Sequence, residues 1–270
     1  MKENLLDKFM SKKGLYASFW FIAIIMVTAL IYYTANLHKE VPPIPKEVKS
    51  VNGELLYTYD DIIEGKGYFQ EFDLMDWGTL LGMGAYIGPD FSTDLLHNRA
   101  EYLYNYFAQE MFNKSKKELT KIELGAVKER VKQDFKQETK LKEDYVIYSI
   151  PSAEAYKENV KYVVKMLVNG DKQRAFPGGF IKPEEAKKIA AFFDWSQLVA
   201  SSLRPGTDRT WSNNFPHEPL IDQNTGWNSH NVSLWEFLAL WTLTIIVIFL
   251  AYEYLFKKDP KEELQPALKV

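Results

Sequence analysis

The side chains that could hold a metal or move a proton are few and scattered. The chain has 270 residues, four histidines and no cysteine. His38, His97, His217 and His230 include no i,i+3 or i,i+4 pair, so helical spacing builds no zinc or haem site from local histidines. Without thiolates the chain can form no disulfide, no Cys-ligated iron–sulfur cluster, no covalent haem c and no dinuclear-copper site. Asp73, Asp76 and Asp90 could be imagined as paired carboxylates, but capping and solvent exposure explain them as well. No serine has a nucleophile-elbow context, and Gly82-Met83-Gly84 lacks the further glycine and the preceding strand of a dinucleotide site. A net charge of -3 and a pI near 5.9, with no basic stretch interleaved with aromatics, argue against a nucleic-acid partner. The chain does not read as a self-sufficient enzyme.

The elements that would carry these residues begin and end with long apolar segments. Leu15 to Tyr33 has no charged residue and spans ~28 Å as a helix, and Leu234 to Phe256 spans ~34 Å; both fit a bilayer core. The first run exceeds a signal-peptide core and no Ala-x-Ala-like site follows it. Lys2, Lys8, Lys12 and Lys13 precede the first span and Lys257, Lys258 and Lys261 follow the second, while residues 213–233 hold no Lys or Arg. This asymmetry predicts a two-span protein of the cytoplasmic membrane with both termini cytoplasmic. The expected organisation is a cytoplasmic N-terminus over 1–14, a transmembrane helix over 15–36, an extracytoplasmic domain over 37–233, a second transmembrane helix over 234–256 and a cytoplasmic tail over 257–270. Glu236 and Glu253 sit within about a turn of the ends of the second span and read as interfacial carboxylates.

Between the spans the pattern is mainly helical. Pro42, Pro43 and Pro45 make a stiff extended linker. Val48 to Ile63 reads as a hairpin with Asn52-Gly53 as a type I′ turn and Leu55, Tyr57 and Tyr59 alternating; it is the one convincing β signal. Helices are expected over Asp90 to Phe112, from Thr120 with a Thr120/Glu123 capping box, from Ser152, and from Pro183. Asn169-Gly170 and Pro177-Gly178-Gly179 separate the later ones.

One run joins these elements: Phe69-Gln70-Glu71-Phe72-Asp73-Leu74-Met75-Asp76-Trp77-Gly78-Thr79-Leu80-Leu81-Gly82-Met83-Gly84-Ala85-Tyr86-Ile87-Gly88-Pro89-Asp90. It resembles the haem-binding segment of the small subunit of cytochrome c-dependent nitric oxide reductases. There, an aromatic-Gln lead and Cys-x-x-Cys-His precede Thr-Leu-Leu-Gly-x-Gly-Ala-Tyr and a Pro-acidic pair. Leu74 and Trp77 fall on the two cysteines and Gly78 on the histidine, so every haem ligand is missing. The flanks of the run match better than its centre, as they do in the amino-terminal part of the quinol-dependent relatives, which carry this domain without haem c. Phe192-Phe193-Asp194-Trp195, Ser202-Leu203-Arg204-Pro205-Gly206 and Asn213-Asn214-Phe215-Pro216-His217-Glu218-Pro219-Leu220 extend the likeness across residues 65–222.

The resemblance implies a cytochrome c-like extracytoplasmic domain, mainly α with a small β-hairpin, flanked by two transmembrane helices. It also implies calcium at the junction with the catalytic subunit, to which Gly84 would give its carbonyl and Tyr86 a second oxygen. A hard cation wants such ligands, although the glycines could equally serve a tight turn with Tyr86 packed in the interface. Leu74, Met75 and Trp77 are expected to fill the volume of the lost haem and leave a dry pocket without cofactor. Haem b, haem b3 and non-haem iron are expected only in a multi-span catalytic partner that reduces two NO to nitrous oxide with electrons from the membrane quinol pool. This chain itself would hold neither haem c nor copper. In the quinol-dependent relatives the second span runs on into the catalytic part, whereas this sequence stops at Val270, which implies a split enzyme or a fragment. The competing reading is a stand-alone two-span sensor or binding module.

Overall fold

The computed structural model describes residues 12–37, 41–81, 88–138, 144–204, 210–211 and 230–256. In chain order the described elements are α1 (Lys12–Leu37), β1 (Glu47–Ser50), β2 (Leu55–Thr58), α2 (Tyr59–Glu71), α3 (Phe91–Phe112), α4 (Lys121–Glu138), β3 (Tyr145–Tyr148), α5 (Ile150–Asn169), α6 (Pro183–Ser201) and α7 (His230–Phe256), with short 3-10 turns at Leu74–Asp76 and Lys116–Glu118. They fall into two compact units, Met1–Val41 with Asn228–Val270, and Pro42–Trp227.

The first unit is built on α1 and α7. Tyr16–Asn36 and Leu234–Tyr252 are long and apolar enough to cross a membrane, and almost nothing in either window is buried. Both helices are apolar all round, which suits lipid or further helices better than a watery surface. They pack antiparallel. The Trp235 indole donates to the Thr34 hydroxyl at 2.9 Å near one end, and Phe19 stacks on Phe249 at 4.1 Å near the other. Partly covered residues in α1 include Tyr16, Phe19, Ala23, Met26, Leu30 and Tyr33, and in α7 Trp235, Leu238, Thr242, Ile245 and Phe249. This alternating three–four spacing is the seam of a short coiled coil.

The second unit is a helical domain with a three-stranded sheet of order β2-β1-β3. β1 and β2 form the expected hairpin, with Val48 opposite Tyr57. Only Gly53 in its turn has positive φ (+86°), and a type I′ turn needs two such residues. The turn is therefore a different one, closed by Gly53 N–H donating to Ser50 O at 2.9 Å. The strand also ends earlier than the alternation suggests. Thr58 caps α2 in a reciprocal capping box with Asp61, so Tyr59 begins a helix. The sequence pattern missed β3, which pairs parallel to β1, Val146 beside Val48 and Tyr148 beside Ser50. At four residues of Tyr-Val-Ile-Tyr, its alternation is too short to stand out.

The four expected helices are present. Asp90 caps α3 by accepting from Thr93 N–H at 3.0 Å, and Thr120 with Glu123 forms the capping box of α4. α5 starts at Ile150, slightly before Ser152, because Ser149 is the cap and Pro151 fits the first turn. The larger of two apolar clusters joins the sheet, α2, α5 and α6 through Val48, Tyr57, Phe69, Val163, Leu167, Ile189 and Phe193. The smaller joins α3 and α4 through Leu103, Phe107, Val127, Val131 and Phe135, with Ala200 of α6 against it.

Candidate functional site

The segment that matters most starts where α2 stops. Asp73 takes a left-handed conformation (φ 51°), which turns the chain into the 3-10 turn Leu74–Asp76. Leu74 is fully buried in the main core. Trp77 packs on the same core and meets Phe176 edge to face at 5.5 Å. Phe176 contacts Phe180 at 5.6 Å, and Phe180 contacts Phe72 at 6.1 Å. Met75 departs from the expected filling role: it is 57% exposed. In a tight turn successive side chains cannot all face inward, and Leu74 takes the inward position. The aromatic mass comes instead from Phe176 and Phe180, beside a Pro-Gly-Gly stretch that reads in sequence only as a separator.

Gly78 is enclosed. A Cβ there would stand 2.6 Å from the Phe91 ring and 2.6 Å from Pro89 O. Phe91 is itself stacked on Phe193 at 4.4 Å. Leu74, Trp77 and Gly78 offer neither sulfur nor imidazole, and the third position has no room for a side chain. These residues do not fit a c-type haem. His97 is exposed on α3, and no group of three His, Cys, Asp or Glu suited to a metal occurs among the described residues.

Thr79 and Leu81 are tied directly to the start of α3. Thr79 N–H donates to Pro89 O at 3.0 Å, Phe91 N–H to Thr79 O at 2.8 Å, and the Thr79 hydroxyl to Asp90 Oδ2 at 2.8 Å. Leu81 N–H donates to the Ser92 hydroxyl at 3.1 Å, which in turn donates to Ser196 Oγ at 2.7 Å. Asp90 thus caps α3 and holds Thr79 against it, while Asp73 and Asp76 belong to the preceding turn. Gly84 and Tyr86, the expected calcium ligands, lie outside the described residues, as do His38 and His217.

Two polar clusters brace this arrangement. Asp94 of α3 accepts from the Tyr162 hydroxyl at 2.8 Å and pairs with Arg174 at 2.6 Å, which pins the segment leading to Phe176. Burial and the Asp94 charge push the Tyr162 hydroxyl pKa up. Deeper in the core, Asp194 Oδ2 accepts from Tyr57 and Tyr148 hydroxyls, both at 2.7 Å, and Oδ1 from Gln197 at 3.3 Å. Burial raises the Asp194 pKa, and Arg99 with these hydrogen bonds partly offsets the rise. Arg99 is fully buried between the rings of Phe135 and Tyr148, at 4.5 and 4.4 Å, and donates to Ser152 Oγ at 2.8 Å; Ser152 donates to Asp134 at 2.8 Å. Sequence reading assigned no role to Arg99, Asp134 or Arg174, and only the Phe192-Phe193-Asp194-Trp195 block pointed toward this core.

A mainly helical domain in which Leu74, Trp77 and Gly78 are packed against protein and offer neither thiolate nor imidazole is the class that fold and site define. Residues 45–217 match the NorB cytochrome c-like domain family of nitric oxide reductases. The chain belongs to that family. No curated protein matches it.

Proposed function

We propose that this chain is the membrane-anchored, haem-c-free small subunit of a quinol-type nitric oxide reductase complex. Its α1/α7 pair anchors it beside a multi-span catalytic subunit, and its domain caps that subunit on the extracytoplasmic side. Haem b, haem b3, non-haem iron and the conversion of NO to nitrous oxide belong to the partner, which draws electrons from the quinol pool. Gly84 and Tyr86 supply oxygen ligands to a calcium ion shared with the partner.

The observation that carries this reading is the family match over 45–217 in a domain whose ligand positions Leu74, Trp77 and Gly78 are packed with protein. The two apolar helices support the membrane anchor. The test is Gly84→Val in the complex purified from its native membrane. A loss of bound calcium together with weaker retention of the haem-bearing partner is expected; an intact complex with full calcium content overturns the calcium role.

A further inference from the structure

The turn between β1 and β2 brings the parts of a cyclisation reaction together within a few residues. Residues 51–54 are exposed, whereas Ser50 behind them is buried. The Ser50 hydroxyl donates to the side-chain carbonyl oxygen Oδ1 of Asn52. Gly53 follows with a φ of +86°, and nothing lies within 4 Å of where a Cβ would stand. Its peptide N–H donates to Ser50 O at 2.9 Å, and Val51 N–H donates to Tyr148 O at 2.9 Å, so the turn is tied to β3 as well.

An amide carbon whose oxygen accepts a hydroxyl hydrogen bond is polarised toward attack, as a carbonyl in an oxyanion hole is. The backbone nucleophile that can reach Asn52 Cγ with closure of a five-membered ring is the Gly53 nitrogen, and glycine has no side chain to obstruct that approach. The hydrogen bond to Ser50 O withholds this nitrogen while the turn is closed. At an exposed hairpin turn such a bond opens locally far more often than the core unfolds.

We propose that Asn52 is a self-modifying site that undergoes spontaneous deamidation. When the turn opens, the Gly53 nitrogen gives its proton to solvent hydroxide and attacks Asn52 Cγ. The new C–N bond forms as the bond from Cγ to the side-chain nitrogen breaks, and that nitrogen takes a proton from water and leaves as ammonia. Water then opens the succinimide ring at either carbonyl and leaves aspartate or isoaspartate at position 52. Either product adds a carboxylate two residues from Glu54, which pairs with Lys157 of α5 at 2.9 Å. Isoaspartate also lengthens the backbone by a methylene and draws Gly53 N–H away from Ser50 O. The outcome is a slow, one-way loosening of the β1–β2 turn.

The full chain in detergent is incubated at neutral and at mildly alkaline pH, and residue 52 is followed by peptide mapping with mass spectrometry and by an isoaspartate methyltransferase assay. Conversion of Asn52 is expected, faster at the higher pH because the nitrogen must lose its proton. Ser50→Ala should slow it by about threefold or more. A merely bracing role for Ser50 predicts the reverse, since a looser turn frees the nitrogen sooner. Asn52→Gln, which must close a larger ring, should give no product over the same period. Absence of conversion in the folded chain overturns the proposal, and conversion of Ser50→Ala at or above the rate of the unsubstituted chain overturns the role given to its hydroxyl.

Discussion

Gly78→Ala is the sharpest perturbation of the closed segment. The added methyl would meet Phe91 Cε2 at 2.6 Å, Phe91 Cζ at 2.7 Å and Pro89 O at 2.6 Å, all inside the separation that real Cβ atoms show. Neither neighbour is free to yield. Phe91 is 2% exposed and held between Phe193 and Phe69, and Pro89 O accepts the hydrogen bond of Thr79. Overpacking a rigid core by one methyl costs about 1–3 kcal/mol, and the upper end applies when both obstacles are fixed. For a domain of this size that is a fall in Tm of about 6–12 °C. Near-UV circular dichroism of the purified chain in detergent follows the loss of aromatic packing around Trp77. An unchanged melting curve would refute the packing argument, because it would mean that Phe91 or the loop base moves at no cost. The same geometry predicts that Leu74→Cys, Trp77→Cys and Gly78→His together fail to restore haem attachment under haem-lyase coexpression, since the imidazole has no volume to occupy.

Three further outcomes follow from the ionic and helical contacts. Burial raises the Asp194 pKa, so the folded domain binds that proton more tightly than the unfolded chain and loses stability as pH rises from about 4 toward the folded pKa. Asp194→Asn should remove that slope from urea midpoints measured across pH, while lowering stability by ~3 kcal/mol because the buried Arg99 loses a nearby counter-charge; a parallel profile would count against it. Glu123 has the opposite sign. The Lys114 hydrogen bond and then the Thr120 cap lower its pKa to about 2, so its contribution is present above about pH 4.5 and disappears as pH falls toward 2. Glu123→Gln should flatten acid denaturation in that window, seen by far-UV circular dichroism. In a chain without cysteine, Thr34→Cys with Trp235→Cys should be joined in membranes by a short bifunctional thiol cross-linker, read as a mobility shift on gels, whereas Thr34→Cys with Phe249→Cys should not; the indole that bridges the native pair holds the backbones too far apart for a direct disulfide.

Much of the helical frame was legible because its signals are local. Asp90, Thr120 and Pro183 mark helix starts through capping and proline chemistry that depends on a few adjacent residues. Apolar spacing in the sequence predicts a stripe of Leu124, Val127, Val131 and Phe135 in α4 and one of Ile189, Phe192, Phe193, Leu198 and Val199 in α6; all are buried except Leu124, which is 38% exposed. β3 escaped notice because its partner β1 lies about a hundred residues away, and four residues give too little alternation to identify a strand. The break between β2 and α2 was also hidden, since Tyr59 continues the alternation while the Thr58/Asp61 box ends it. At the site, the resemblance singled out Leu74, Met75 and Trp77 as filling residues, and burial agrees for Leu74 but not for Met75. Phe176, Phe180 and the Arg174 clasp could not be found this way. Phe176 meets Trp77, Phe180 meets Phe72 and Arg174 pairs with Asp94 from a segment far downstream, through contacts that leave no periodic trace.

The central claim is that this chain serves a haem-bearing partner while holding no haem of its own. Gentle purification from its native membrane, with an optical spectrum and identification of the co-purifying polypeptides, tests it most directly. A b-type haem spectrum without c-type bands, accompanied by a large multi-span subunit, is the predicted result. A colourless preparation with no such partner would contradict it.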